Sequence, residues 1–320
     1  MRYIISSILA SLAVPATAFV AMAELPQVIT DIPPVHALVA QVMGDLGAPV
    51  LLLEKGADEH DFQLRPSQMQ AIAEADLTVW IGPELTPWLE RALAGAQSGM
   101  VSLPLLDQGG TFTQAYGAAG PQAKEKHDDH AGHDESDEQE AEGHDHDHSG
   151  IDPHAWMDPA NAANWLDMIA VELTKSDPDN AATYTANAAA AKTRITALDA
   201  ELAALLAPVK DRAFVTYHDA YGYLTAHYGL NAVGSVAMGD ASAPGAAHLA
   251  ELQATLADVA CVFPELQHDP ALLLQLLDGT TVRAGAALDP VGSGLEPGPD
   301  AYADLMRGLA RSLAECLNGA

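Results

Sequence analysis

The chain has 320 residues, of which 49% are apolar and 18% charged, and its formal net charge at pH 7 is −30. Such an excess of acidic residues argues against nucleic acid and anionic membrane surfaces as partners and favours cations. The length and the apolar content suffice for two packed domains.

The first 23 residues are typical of a cleavable secretory signal peptide. Arg2 precedes an apolar stretch from Tyr3 to Val20, and Ala21-Met22-Ala23 has the small-x-small pattern of a signal peptidase site. Pro15 interrupts the stretch, which is short for a membrane span. We therefore expect an exported chain that begins near Glu24. An uncleaved membrane anchor is the alternative.

The first half of the mature chain alternates between strand and helix patterns. Short apolar runs predict strands, and segments with helical spacing that start near a proline predict helices. The predicted strands are Gln27–Ile32, Val50–Leu53, Leu77–Ile81 and Met100–Leu103, and the predicted helices are Pro34–Met43, Pro66–Ala75 and Asp158–Lys175.

A long segment rich in alanine and leucine then divides the chain. Ser176-Asp177-Pro178 predicts its N-terminal cap, and Pro208 predicts its end. At 1.5 Å per residue the helix would extend roughly 40 Å, about the width of a domain. The alternation resumes after it. The predicted strands are Ala213–Thr216, Ala232–Val236, Ala260–Phe263 and Val282–Ala287, and the predicted helices are Tyr221–His227, His248–Leu256, Pro270–Leu277 and Tyr302–Leu317.

This order of elements predicts an α/β fold with two αβ lobes, mainly parallel sheets and one long rigid helix between them. Loops at the carboxyl ends of the strands would meet in a cleft between the lobes, where open α/β folds bind their ligands. We place the N-terminal lobe at residues 24–175, the linker helix at 176–208 and the C-terminal lobe at 209–320. The N-terminal lobe includes residues 117–150, a segment that we expect to be a disordered loop.

The chain contains two cysteines, Cys261 and Cys316. In an exported protein a single pair is expected to form a disulfide. A bond across these 55 positions would stabilise the fold by roughly 4 kcal/mol in the chain-entropy model. A thiolate metal pair is the weaker alternative, because Cys261 lies in the apolar run Val259–Phe263 and no CxxC spacing occurs.

Between Lys124 and His148 the chain carries six histidines and eleven acidic residues in one hydrophilic run. Such a run binds transition metals loosely and in many arrangements. It lacks the apolar residues that would offset the entropy of ordering, so we expect disorder without metal. The predicted secondary, weak metal ligands are His127, His130, His133, His144, His146 and His148.

Three further histidines lie in distinct motifs. His60 is in GADEHDF, His154 in DPHAWMDP and His218 in YHDAYG. The first and last follow predicted strands, the second is expected to open a helix, and each has a carboxylate residue close by in sequence. Neutral imidazole is a preferred zinc ligand, and neighbouring carboxylates can orient it. The pattern therefore predicts a fixed metal site in the cleft.

These three motifs resemble those of zinc-specific solute-binding proteins of ABC importers, the ZnuA type of the metal-binding cluster A-I family. Leu288–Gly292, with the sequence LDPVG, is similar to the late carboxylate motif of that family. The acidic, histidine-rich insertion is similar in position, and the cysteines are similar to a disulfide pair found in part of the family. The resemblance covers essentially the whole mature chain.

The resemblance implies that Zn²⁺ is bound as the transported ligand by His60, His154 and His218. The fourth position is open among Glu59, Asp289 and water. Manganese-type relatives tend to have a carboxylate where His218 stands, so this position favours zinc.

The resemblance also implies a periplasmic, monomeric protein that delivers zinc to a membrane permease and is not an enzyme. A periplasmic zinc chaperone is a further candidate partner. Two alternatives share the metal site: a secreted zinc hydrolase, and a periplasmic zinc buffer or chaperone without a transporter. No HExxH motif and no Ser or Cys nucleophile in a strand-to-helix elbow occurs, which argues against the hydrolase.

The remaining single histidines carry little signal. His36 is expected on the first helix, and His227, His248 and His268 are interpreted as surface or packing residues.

Deletion of residues 124–148 should remove weak zinc sites and leave one tight site intact, because the loose ligands lie in the hydrophilic run. Uptake should slow when zinc is scarce, since tethered ligands raise the local zinc concentration. Titration of the parent and the deleted chain with zinc measures the stoichiometry. Loss of the tight site would show that the two classes of ligand are wrongly assigned.

Overall fold

A computed structural model describes residues 25–95, 99–117, 150–237 and 244–319. The predicted signal peptide and all six histidines of the hydrophilic run lie outside these ranges. Within them, no helix combines the length and the apolar character needed to cross a membrane.

The N-terminal lobe is built on a four-stranded parallel sheet with the strand order β2-β1-β3-β4. Each of its three helices begins with a proline in the first turn, where the missing N–H costs no hydrogen bond. The strands are β1 (Val28–Thr30), β2 (Val50–Leu51), β3 (Leu77–Trp80) and β4 (Val101–Pro104), and the helices are α1 (Pro33–Met43), α2 (Pro66–Glu74) and α3 (Pro87–Leu93).

Two consecutive helices, α4 (Pro159–Ser176) and α5 (Ala181–Leu206), follow the N-terminal sheet. α5 has 26 residues and so extends about 40 Å, as predicted. It begins later than the predicted cap because residues 178–180 form a short 3-10 turn, in which the Asp177 carboxylate accepts hydrogen bonds from Asn180 and Tyr184.

The C-terminal lobe repeats the plan of the first, with a parallel sheet in the order β6-β5-β7-β8. The last helix packs against both α5 and α1, so one helical layer supports both lobes. The strands are β5 (Phe214–His218), β6 (Ala232–Ala237), β7 (Cys261–Val262) and β8 (Arg283–Ala284), and the helices are α6 (Gly222–Tyr228), α7 (Ala246–Thr255), α8 (Ala271–Leu277) and α9 (Ala301–Asn318).

The predicted fold class of two parallel-sheet α/β lobes and a long helix is confirmed, with local differences. The helix α3 was not predicted, because its seven residues bury only Trp88 and Leu89 and show little periodicity. β2, β7 and β8 are two residues long, shorter than predicted. His154 does not begin α4; it precedes a 3-10 turn, and the Asp158 carboxylate caps α4 by accepting the Ala160 N–H.

The predicted disulfide between Cys261 and Cys316 is present. Cys261 is the first residue of β7, and Cys316 lies near the end of α9. The bond therefore fastens the C-terminal helix to the sheet of the second lobe.

His227 links the C-terminal lobe to both connecting helices. Its Nδ1 lies 2.9 Å from the carboxylate of Asp158 at the start of α4, and its Nε2 lies 2.9 Å from that of Asp199 on α5. The hydrogen bond with Asp158, followed by that with Asp199, raises the pKa of His227 from 6.5 to about 9. At neutral pH His227 therefore carries a positive charge and bridges the carboxylates of Asp158 and Asp199.

Because the folded-state pKa of His227 is raised, its stabilisation should be complete below pH 6.5 and lost as pH rises through about 9. His227→Gln should lower the free energy of unfolding by about 1–2 kcal/mol at pH 6 and by much less at pH 10. Denaturant unfolding of parent and variant at both pH values measures this. An equal loss at both would mean that the imidazole contributes by packing alone.

Candidate metal centre

His60, His154 and His218 reach the cleft from three different segments. His60 lies in the loop between β2 and α2, His154 precedes the 3-10 turn at residues 155–157, and His218 is the last residue of β5. The first and last therefore occupy carboxyl ends of parallel strands, the edge at which open α/β sheets bind ligands.

The His60 loop is fixed by contacts with both lobes. Trp88 of α3 donates a hydrogen bond from its indole N–H to the carbonyl of Glu59, and its ring packs edge-on against Phe62. Gly56, at φ 75°, turns the chain and donates its N–H to the carbonyl of Ser293 in the C-terminal lobe. The loop is thus held from both sides of the cleft.

The three imidazoles form a compact group. Each offers a ring nitrogen, and the three atoms lie within 4.8 Å of one another. The ring centroids are separated by 5.3 to 6.0 Å, and the ring planes are steeply inclined to one another. His154 is fully buried and His218 nearly so.

Carboxylates fix the orientation and the tautomer of two of these rings. Asp152 lies 2.8 Å from Nδ1 of His154, and Glu265 lies 2.6 Å from Nδ1 of His218. A carboxylate can only accept, so Nδ1 of each ring carries the proton and Nε2 carries a lone pair. Tyr221 donates its O–H to the second oxygen of Glu265 and holds that carboxylate in place.

The two Nε2 atoms of His154 and His218 face each other at 3.5 Å. With the proton of each neutral ring on Nδ1, neither can donate to the other, and the lone pairs repel. A metal ion between them removes this repulsion. In a tetrahedral site with Zn–N bonds of 2.0–2.1 Å, adjacent ligand atoms are roughly 3.4 Å apart. The observed spacing therefore matches the edge of a zinc tetrahedron.

Glu59 is a buried carboxylate beside His60. It is 2% exposed, and its Oε1 lies 3.7 Å from Nε2 of His60. Burial raises the pKa of Glu59 from 4.5 to about 8. A divalent cation in the group would supply the positive charge that the buried carboxylate requires.

The structure does not bring Asp289 into the donor group. Its Oδ1 accepts hydrogen bonds from Gln267 and Ser293, and its Oδ2 accepts one from the Gly294 N–H. Asp289 therefore orders the loop at residues 289–294, whose Ser293 carbonyl contacts Gly56.

The described residues on either side of positions 118–149 lie beside the centre. Ala115 and Ile151 form an antiparallel bridge, and the Gly117 N–H donates to the carboxylate of Asp219 next to His218. Burial, and then the nearby charge of Asp152, raises the pKa of Asp219. Gly117 and Ile151 are therefore close to both His154 and His218.

Two residues near the centre were not singled out from the sequence. Glu265 was not predicted from the sequence, although its position just after the apolar run Val259–Phe263 was a usable signal. His268 was interpreted as a surface or packing residue, yet its Nε2 lies 3.6 Å from Glu265. His36 is buried on α1, and His248 contacts the backbone carbonyl of Ser235.

Two parallel-sheet lobes with a buried donor group between them define a solute-binding protein for a small ligand. The family model for the periplasmic component A of the zinc-uptake complex, ZnuA, matches residues 28–316. The chain belongs to the ZnuA family.

Similar proteins agree with this membership. The high-affinity zinc uptake system protein ZnuA of Paracoccus denitrificans is 48% identical over 320 residues, and the match covers 98% of each chain. The protein of that name from Brucella suis is 36% identical over 92% of each chain. A crystal structure of ZnuA has the same fold, with a TM-score of 0.72 at 23% identity over 92% of this chain and 99% of that chain.

Asp152→Asn should weaken zinc binding about 10- to 100-fold, because the carboxylate that fixes the His154 tautomer is lost. Competition with a strong chelator measures the change. Asp167→Asn, which removes a surface carboxylate paired with Lys192, is the matched control and should stay within twofold of the parent. Equal affinities of the two variants would show that Asp152 does not set the ligand geometry.

Proposed function

We propose that this protein captures Zn²⁺ in the periplasm and delivers it to the membrane permease of an ABC importer. The observation that carries the proposal is the pair of Nε2 atoms of His154 and His218 at 3.5 Å, each held in the acceptor tautomer by a carboxylate. Membership of the ZnuA family supports zinc uptake as the purpose of this centre.

We assign His60, His154 and His218 as the nitrogen ligands and Glu59 as the fourth ligand. Three imidazoles and one carboxylate suit tetrahedral Zn²⁺, whereas oxygen-rich sites suit manganese. Glu59 is preferred to Asp289 because both oxygens of Asp289 accept hydrogen bonds from its own loop and from Gln267.

The low solvent exposure of the centre suits the binding of a zinc ion better than catalysis by one. A catalytic zinc site keeps one coordination position open to water and substrate. Here His154 is 0% exposed and Glu59 is 2% exposed, and the indole of Trp156 packs against His154. These surroundings favour a fully protein-bound ion.

Delivery requires that the ion can leave again, and the two-lobed fold provides a route. His60 belongs to the N-terminal lobe and His218 to the C-terminal lobe, so displacement of the His60 loop would remove one ligand without unfolding either sheet. We infer that a periplasmic monomer docks on the permease and that docking displaces this loop.

Replacement of His60, His154 or His218 by Ala should weaken tight zinc binding at least tenfold, equivalent to about 1.4 kcal/mol. Each change removes one nitrogen from a four-ligand site. Chelator competition measures the affinity. Glu59→Gln should behave similarly, while Asp289→Asn should have a smaller effect. If all three histidine variants titrate like the parent, the tight site lies elsewhere.

Uptake itself tests the transport function. Cells that lack this protein should accumulate zinc more slowly in zinc-poor medium, and the parent chain should restore the rate. The chain with all three histidines changed to Ala should not restore it. Restoration by that variant would exclude delivery from this centre, and unaltered uptake without the protein would favour a zinc buffer.

A further inference from the structure

A second group of possible metal ligands adjoins the first. His218, Glu265 and His268 each offer a donor atom, and the three atoms lie within 4.8 Å of one another. Glu265 stands between the two rings, with Oε2 at 2.6 Å from Nδ1 of His218 and 3.6 Å from Nε2 of His268. Two imidazoles and a carboxylate are again donors that suit zinc.

Of these three residues, only His268 is accessible to solvent to a substantial degree. The His268 side chain is 25% exposed, whereas those of His218 and Glu265 are 5% and 0% exposed. The His268 ring stacks on Tyr217 with centroids 4.4 Å apart and 14° between the planes. His268 is therefore a positioned imidazole that solvent can reach, next to a carboxylate that solvent does not reach.

His218 belongs to both groups through opposite sides of one ring. Its Nε2 faces His154, and its Nδ1 faces Glu265. A neutral imidazole has one nitrogen with a lone pair, so His218 can serve an inner ion or an outer ion but not both at once. The two groups therefore compete for His218, which makes an outer ion transient when the inner group is intact.

We propose that Glu265 and His268, together with His218, form an outer zinc site through which the ion reaches the three-histidine group. This proposal rests on the proposed function. An ion arriving from solvent first meets His268 and Glu265. An ion in the outer site binds Nδ1 of His218, which gives its proton to water while Nε2 takes one from water. As the ion moves past the ring, these two transfers reverse, so that Nδ1 again carries the proton and Nε2 binds the ion.

The outer site can be isolated by disabling the inner one. In the chain lacking residues 124–148, His60→Ala and His154→Ala should leave one zinc bound, at least 100-fold more weakly than in the parent. Addition of His268→Phe should weaken this residual binding at least tenfold, because phenylalanine keeps the stacking on Tyr217 and lacks the nitrogen. His248→Gln is the matched control and should not change it.

Residual binding that is absent, or that His268→Phe leaves unchanged, would overturn the outer site. Persistence of the tight site in the double variant would instead overturn the three-histidine assignment, so the two failures are distinguishable. Thermal unfolding of each variant without zinc checks that it is folded.

A kinetic measurement tests the path. In the chain lacking residues 124–148, His268→Phe should lower the association and dissociation rate constants of zinc by a similar factor of at least three, because a transit site changes the route and not the final state. Stopped-flow mixing with a fluorescent chelator measures both. Parental rates, or faster dissociation alone, would contradict the proposal.

Discussion

The hydrogen bonds between two buried carboxylates and two imidazoles determine how this centre works. Asp152 holds His154, and Glu265 holds His218, each through Nδ1. These bonds keep the proton of each ring on Nδ1, so the lone pairs of the two Nε2 atoms face each other across 3.5 Å. The folded protein thus maintains a repulsive arrangement that a bound cation would relieve. In the proposed site, the ligand geometry would therefore be set before the ion arrives.

Buried carboxyl groups near the histidines also favour the binding of a cation. Burial raises the pKa of Glu59 to about 8 and also raises that of Asp219. Both carboxyls are costly to ionise without a nearby positive charge. A divalent ion supplies that charge, so ion binding and ionisation of these acids reinforce each other. The overall negative charge of the chain attracts cations from a distance, whereas these buried groups act only at close range.

The sequence was sufficient to predict the two sheets and the convergence of His60, His154 and His218, because apolar runs and strand ends are local features. The partnership of His218 with Glu265 is not local. It arises because β5 pairs with β7, which brings together residues 47 positions apart. The role of His268 depends on the same pairing, so its motif-free sequence gave no signal. The helix α3 was missed because it is too short to show a periodic pattern.

The backbone bridge between Ala115 and Ile151 makes the geometry of the centre independent of how many residues lie between these two positions. Because the ends are joined by backbone contacts next to the centre, residues can be inserted or lost between them without moving His154. Such changes have little effect on stability, because each doubling of loop length raises the free energy of loop closure by only about 0.6 kcal/mol. Lineages can therefore differ in the number of residues and histidines between positions 117 and 150 while the three-histidine group keeps its geometry.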